Sequence, residues 1–146
     1  MILEQRMPSH ILWLRANYWI GAVVDGIMVI PLLFPRVAGA MFGIGNFQPG
    51  ADFRYAASVG ASLMAGWTVL LLWADRRPVE RSGVAIITLI PVLVGLMLSG
   101  VFAVSSGLIK QADMLPTFVM QGLLFTSYLC SYFFASIREK GNPNPT

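Results

Sequence analysis

The chain has 146 residues, of which 56% are hydrophobic and only 12% are charged. A soluble domain carries about a quarter charged residues, so this composition excludes an ordinary cytosolic globule and a disordered chain. Ten Lys and Arg against seven Asp and Glu leave a net charge of +3, but the basic residues are spread along the chain, which excludes the basic patch of a nucleic-acid-binding protein. The single cysteine, Cys130, excludes an internal disulfide. Such a composition is typical of an integral membrane protein.

Four apolar stretches approach the roughly 20 residues that a helix needs to cross the hydrocarbon core of a bilayer. They predict an all-α fold, an antiparallel up-down bundle of four transmembrane helices that forms a single domain over residues 1–146. Helices are predicted because each one satisfies its own backbone hydrogen bonds in lipid. The spans are expected at about 13–34, 53–73, 84–105 and 115–137, and a frayed tail follows at 141–146.

Prolines mark the expected ends and irregularities of these helices. Pro31 and Pro35 end the first helix, Pro91 kinks the third, and Pro116 lies in the first turn of the fourth, where its missing N–H costs little. The connection at 36–52 mixes apolar residues with glycines. Two interpretations of it are open: a short interfacial or re-entrant helix, or a hydrophobic loop.

The distribution of positive charge predicts how the chain is oriented. Seven Lys and Arg lie on the side of both termini and the second loop, and three lie on the opposite side. The seven are Arg6, Arg15, Arg76, Arg77, Arg81, Arg138 and Lys140, and the three are Arg36, Arg54 and Lys110. The positive-inside rule then predicts a multi-pass protein of the cell inner (cytoplasmic) membrane with both termini in the cytoplasm.

Asp25 is the most informative polar residue of the predicted spans. It lies about 14 Å inside the end of the first helix, where an aspartate costs about 2.5–3.5 kcal/mol to insert. It is therefore expected to face the bundle interior with a partner or to be protonated, either as a functional group or as a neutral or hydrogen-bonded residue that fixes helix register. Arg54, at the mouth of the second span, is open to two interpretations: a partner of Asp25, or an anchor that snorkels to the interface beside Asp52.

Small or polar residues recur on one face of each span, as membrane helices require for close packing. Larger polar groups such as Gln121 and the tyrosines need partners or a wet cavity. We therefore predict a polar-lined intramembrane pocket, open toward the non-cytoplasmic side. Its candidate ligand-binding residues are Asp25, Arg54, Gln121, Tyr128, Tyr132, Tyr18, Ser58 and Ser99.

Residue sets for catalysis are not recognisable in the sequence. His10 is the single histidine, so one chain offers no zinc, haem or iron–sulfur ligand set, and no cofactor is predicted. Cys130 lies in the fourth span, where a small buried hydrophobe is the better interpretation than a nucleophile. Catalysis by this chain alone is not predicted.

Several segments together resemble the DoxX-like type of small four-helix bacterial membrane proteins, which includes an uncharacterised group. The segments are Pro31–Pro35, Phe53-Arg54-Tyr55, the glycine-bearing run Gly60–Gly66 and the turn Asp75-Arg76-Arg77-Pro78. The resemblance implies a shared architecture, and Arg54 matches the arginine that recurs in the second helix of that group. Some relatives are associated with quinone-linked sulfur oxidation, but this chain lacks additional cysteines for such chemistry.

Three functions are compatible with these features. The first is a non-enzymatic binding or accessory bundle that holds a lipophilic small molecule, such as a quinone, an isoprenoid or a lipid. The second is a proton- or cation-coupled transporter or channel subunit that uses Asp25, with Arg54 as its gate. The third is a purely structural subunit of a membrane complex. The expected partners are the lipid bilayer, a lipophilic molecule, and a second copy or another membrane protein, but no nucleic acid.

Overall fold

The computed structural model describes residues 9–140, with side chains described for residues 11–133. All regular elements within these residues are helical. They are α1 (Ser9–Leu33), α2 (Pro35–Met41), α3 (Ala51–Asp75), α4 (Gly83–Ile87), a π-helical segment (Thr88–Val94), α5 (Gly95–Ser105) and α6 (Gln111–Lys140). The predicted frayed tail at 141–146 and the side chains of Arg6, His10, Arg138 and Lys140 lie outside the described residues.

Three helical stretches are long and apolar enough to cross a membrane: Ile11–Leu33, Ala51–Asp75 and Gly83–Ser105. They coincide with the first three predicted spans. The fourth predicted span falls within α6, whose described residues do not reach the same hydropathy. Large apolar side chains such as Trp13, Leu63 and Phe102 are mostly exposed on the outer faces of the helices. Such surfaces belong in lipid rather than in water, as expected of a membrane protein.

The connection between the first two spans contains a short helix, which was one of the two interpretations of this segment. Pro35 lacks an N–H and begins α2 directly after α1 ends at Leu33. The N–H of Phe34 still bonds to the carbonyl of Ile30 at 2.9 Å, which completes the last turn of α1. Beyond α2, Gly43 and Asn46 have positive φ angles of 66° and 53° and turn the chain back toward α3.

The start of α6 differs from the prediction. The helix begins at Gln111 rather than near Leu115, so Pro116 lies inside the helix instead of in its first turn. The N–H groups of Asp113 and Met114 bond to the carbonyl of Lys110 at 3.0 and 3.2 Å, so the helix is already formed before the proline. Pro116 therefore removes one hydrogen bond from within the helix.

Pro91 alters the third span in a way that the periodic pattern missed. The proline has no N–H to donate, and the residues around it, Thr88–Val94, form a π-helical segment. A π turn holds more residues than an α turn, which rotates the following residues around the helix axis. As a result Leu93 and Gly100 are buried, whereas Ser99, a predicted pocket residue, is exposed.

Helix α1 packs between α3 and α6, and the contacts define two ends of the molecule. Arg15 pairs with Asp75 at one end, while Leu32 lies next to Gly60 toward the other, so α1 and α3 run antiparallel. We call the first end, which also carries the turn between α3 and α4, the basic end. The other end holds α2, the segment at 42–50 and the start of α6, and we call it the loop end.

The hydrophobic core is concentrated in the half of the molecule next to the basic end. Its fully buried members include Leu14, Tyr18, Leu71 and Tyr128. Toward the loop end α1 is packed less tightly: no residue between 23 and 33 is buried, although Asp25 falls on the same helical face as Leu14 and Tyr18. The bundle is therefore closed in the basic half and more open along α1 in the loop half.

Candidate functional site

An ion pair with three hydrogen bonds joins α1 to the end of α3 at the basic end. Arg15 donates from Nε to Oδ1 of Asp75 at 2.8 Å and from Nη2 to Oδ2 at 3.1 Å. Trp19 donates from Nε1 to the same Oδ2 at 3.1 Å. Asp75 is only 8% exposed, so its carboxylate needs these donors. In the sequence Asp75 begins a charged turn, and its ion pair with Arg15 was not predicted.

The turn after α3 is fixed by Arg81, Trp73 and Tyr18. The guanidinium of Arg81 lies over the Trp73 ring, 3.4 Å from its centroid, and donates to the Trp73 carbonyl. The Tyr18 hydroxyl donates to the carbonyl of Arg81 at 3.0 Å. Tyr18, a predicted pocket residue, is thus fully buried near the basic end and bonded to the main chain.

A buried polar cluster joins α1 to α6 above this end. Asn17 donates from Nδ2 to Oγ of Ser131 at 2.5 Å and accepts a bond from Ser127 at 2.6 Å on its Oδ1. The hydroxyl of Tyr128 donates to the Asn17 carbonyl at 2.9 Å. Asn17 was not predicted to be a functional residue, although the sequence carries a signal for its partners: Ser127 and Ser131 are four residues apart on one face of the predicted fourth helix. The bonded groups of this cluster have protein partners, so it serves to join the helices.

Gln121 differs from that cluster because its side-chain oxygen has no partner. The residue is 6% exposed, and its buried Oε1 has no hydrogen-bond donor among the described residues. Gln121 lies seven residues before Tyr128 on α6, so both share the helical face that points into the bundle. An unsatisfied buried acceptor costs about 1–3 kcal/mol and calls for an explanation.

Asp25 lies on α1 at about the same level of the bundle as Gln121 on α6. Its carboxylate is half-buried and forms no ion pair within the described side chains. Asp25 lies two turns beyond Asn17, while Gln121 lies two turns before Tyr128 on the antiparallel α6. Because Asn17 and Tyr128 are in contact, this register places Asp25 and Gln121 at the same level of the bundle.

Three predicted pocket residues lie elsewhere. Gly26 faces Thr68 of α3, and Arg54 is fourteen residues before Thr68, a distance of about 21 Å along the helix. Arg54 is exposed at the loop end and is not brought next to Asp25. Ser58 and Ser99 are also exposed, and their hydroxyls bond to the carbonyls one turn earlier in their own helices.

Tyr132 lies one turn beyond Tyr128 toward the basic end. It is half-buried and contacts Phe133 edge to face, with the ring centroids 6.2 Å apart. Of the predicted set, the structure therefore brings Asp25 and Gln121 to one level of the bundle, and Tyr128 lies about two turns nearer the basic end on the same face of α6 as Gln121. Tyr18 and Tyr132 also lie toward the basic end.

An apolar groove of about 540 Å³ runs along the outer seam between α1 and α6. Two of the residues that line it, Val24 and Met120, directly precede Asp25 and Gln121 in the chain. Its lining consists of Ile20, Val24, Leu115, Pro116, Val119, Met120, Leu123 and Leu124. The groove can hold a hydrocarbon chain next to the level of the two polar groups.

Metal ligands do not cluster in the part of the chain whose side chains are described, where no three His, Cys, Asp or Glu residues come together. Comparisons with protein-family models, with curated proteins and with solved structures give no significant match. The geometry of Asp25, Gln121 and their surroundings is therefore the basis for assigning a function.

Proposed function

We propose that this chain is a non-enzymatic binding or accessory protein that holds a lipophilic small molecule in the open half of a four-helix membrane bundle. In this proposal α6 is the fourth span, because its 30 residues extend about 45 Å and it packs against α1. The helices run up and down, and the basic end lies in the cytoplasm. The positive charges of Arg15, Arg76, Arg77 and Arg81 at that end support this orientation.

The observation that carries the proposal is the unpartnered Oε1 of Gln121. A glutamine that only joined helices would be bonded to a neighbouring helix, as Asn17 is to Ser127 and Ser131. A buried acceptor without a protein donor is instead suited to bind a group from outside the chain. Gln121 lies at the level of the bundle where the residues of α1 are no longer buried. A ligand can therefore reach it from the loop half.

Asp25 supports the same location. A carboxylate within a membrane helix is costly unless it is partnered or in contact with water, and such residues mark ligand or ion pathways. Asp25 is more exposed than the inward residues that precede it on α1, Leu14 and Tyr18. Its polar group and the apolar groove together fit an amphiphilic ligand with a polar head and a hydrocarbon body.

The test is to identify the molecules that copurify with the protein. We expect mass spectrometry of an organic extract, from protein purified in mild detergent, to show one lipophilic species at close to one molecule per chain. Asp25→Asn is expected to lose that species, because it removes the carboxylate that anchors the polar head while the protein still inserts. Asp52→Asn, which changes the same group at an exposed position, is the matched control and should retain it.

One result of this extraction experiment would contradict the binding proposal. If the natural protein and both variants carry only bulk lipid, the binding proposal is wrong. A proton- or cation-coupled transporter subunit or a structural subunit would then be the better assignment. Proton flux into liposomes that Asp25→Asn abolishes would identify the transporter.

A further inference from the structure

We infer that the ligand of the open half is a lipophilic organic cation, whose positive head lies between Asp25 and Gln121. This inference rests on the proposed function and specifies its ligand class. Both side chains offer hydrogen-bond acceptors to a ligand. The oxygens of an ionised Asp25 carboxylate only accept hydrogen bonds, and the unpartnered Oε1 of Gln121 is also an acceptor. A ligand with only acceptors, such as a quinone carbonyl, would place its lone pairs against those of an ionised Asp25.

A positive charge on the ligand would balance an ionised Asp25, because the side chains that the structure describes supply none at this level. The described ion pairs are Arg15–Asp75 at the basic end and Arg77–Glu80 in the exposed turn that follows α3. Arg54 lies at the loop end, about 21 Å along α3 from the residue that faces Gly26. A neutral hydroxyl could satisfy one acceptor, but the charge of an ionised Asp25 would remain uncompensated inside the membrane.

Apolar surroundings favour an organic cation over a metal ion. The groove at Ile20 and Val24 offers an apolar wall for the organic part of such a molecule. A bare metal ion would need several further oxygen ligands and no hydrocarbon surface.

The charge requirement can be tested with two probe ions of equal shape. Tetraphenylphosphonium and tetraphenylborate are titrated by calorimetry into the protein in nanodiscs of zwitterionic lipid. After subtraction of titrations into empty nanodiscs, which account for partitioning of both lipophilic ions into the lipid, we expect saturable binding of one tetraphenylphosphonium per chain and none of tetraphenylborate. Asp25→Asn should weaken the binding at least about tenfold, a change of 1.4 kcal/mol, whereas Asp52→Asn should leave it unchanged. Equal binding of both ions, or an unchanged dissociation constant in Asp25→Asn, would overturn the inference.

The contribution of Gln121 needs a second pair of probes, with and without N–H donors. Gln121→Met should weaken binding of 1-adamantylammonium more than that of 1-adamantyltrimethylammonium, because only the former can donate to Oε1. The ligand-free variant should be at least as heat-stable as the natural protein, since methionine removes an unpaired buried polar group. Equal weakening of both probes would contradict the assigned role of Gln121.

These results separate the inference from the proposal on which it rests. A neutral lipophile that copurifies with the natural protein and is lost in Asp25→Asn, together with no binding of tetraphenylphosphonium, would overturn the cation class alone. Bulk lipid in every extract together with no probe binding would overturn both.

Discussion

Asp75→Ala is expected to lower the free energy of unfolding by about 2 kcal/mol, between the value of an exposed ion pair and that of a buried one. The substitution removes the acceptor of Arg15 and of Trp19 at once, while Arg15 remains at the joint between α1 and α3. The Arg15 side chain is 38% exposed and can regain some water, which limits the loss. The change is measured by thermal unfolding in detergent.

Glu80→Ala is the matched control for this prediction. Glu80 pairs with Arg77 at 3.1 Å, but both side chains are about two-thirds exposed, so its loss should cost less than about 0.5 kcal/mol. A double-mutant cycle with Arg15→Met and Asp75→Ala should show coupling between the two sites. If Asp75→Ala were no more destabilising than Glu80→Ala, the ion pair would not join the two helices as described.

Gly21→Ala is expected to destabilise the protein by about 2–4 kcal/mol through overpacking and a lost hydrogen bond. A Cβ at Gly21 would overlap the hydroxyl of Tyr128 and lie 3.1 Å from Cδ1 of Leu71. Tyr128 is 1% exposed, so its ring cannot move aside without leaving the Asn17 carbonyl. Thermal unfolding of the purified variant measures the loss.

Removal of the Tyr128 hydroxyl should relieve this overlap. Gly21→Ala combined with Tyr128→Phe is therefore expected to be more stable than Gly21→Ala alone, because Cζ lies at 3.4 Å from the added Cβ, an ordinary contact. Gly66→Ala, where no atom lies within 4 Å, is the control and should leave stability unchanged or slightly raise it. A Gly21→Ala protein as stable as Gly66→Ala would contradict the close approach of α1 and α6.

The helical class and the first three spans followed from hydropathy because span length is set by bilayer thickness. Of the two prolines predicted to end the first helix, Pro35 begins α2 directly after α1 ends, whereas Pro31 lies inside α1, where the helix continues without its hydrogen bond. Gln121 and Tyr128 are seven residues apart, a spacing that places them on one face of a helix, and both are buried on that face of α6. These features depend on one element at a time, which is what a periodic pattern reports.

Other features depend on several elements and were not predictable from one helix. The π-helical segment at Thr88–Val94 breaks the constant rotation per residue, so the predicted position of Ser99 on the inward face was wrong. Arg54 and Asp25 are on neighbouring helices, but the antiparallel register separates them along the bundle axis. The Asn17 cluster requires the register of α1 against α6, which no pattern within either helix specifies.

The most direct test of the open intramembrane half is the accessibility of engineered cysteines in a Cys130→Ala background. Asp25→Cys and Ala22→Cys differ by one helical turn, but Ala22 is 4% exposed and belongs to the closed core. In sealed vesicles, a charged, membrane-impermeant thiol reagent is expected to label the Asp25→Cys protein from the loop-end side and to leave Ala22→Cys unlabelled. A lipophilic ligand should protect Asp25→Cys from the reagent. Equal labelling of both positions, or none at Asp25→Cys from either side, would contradict the open site.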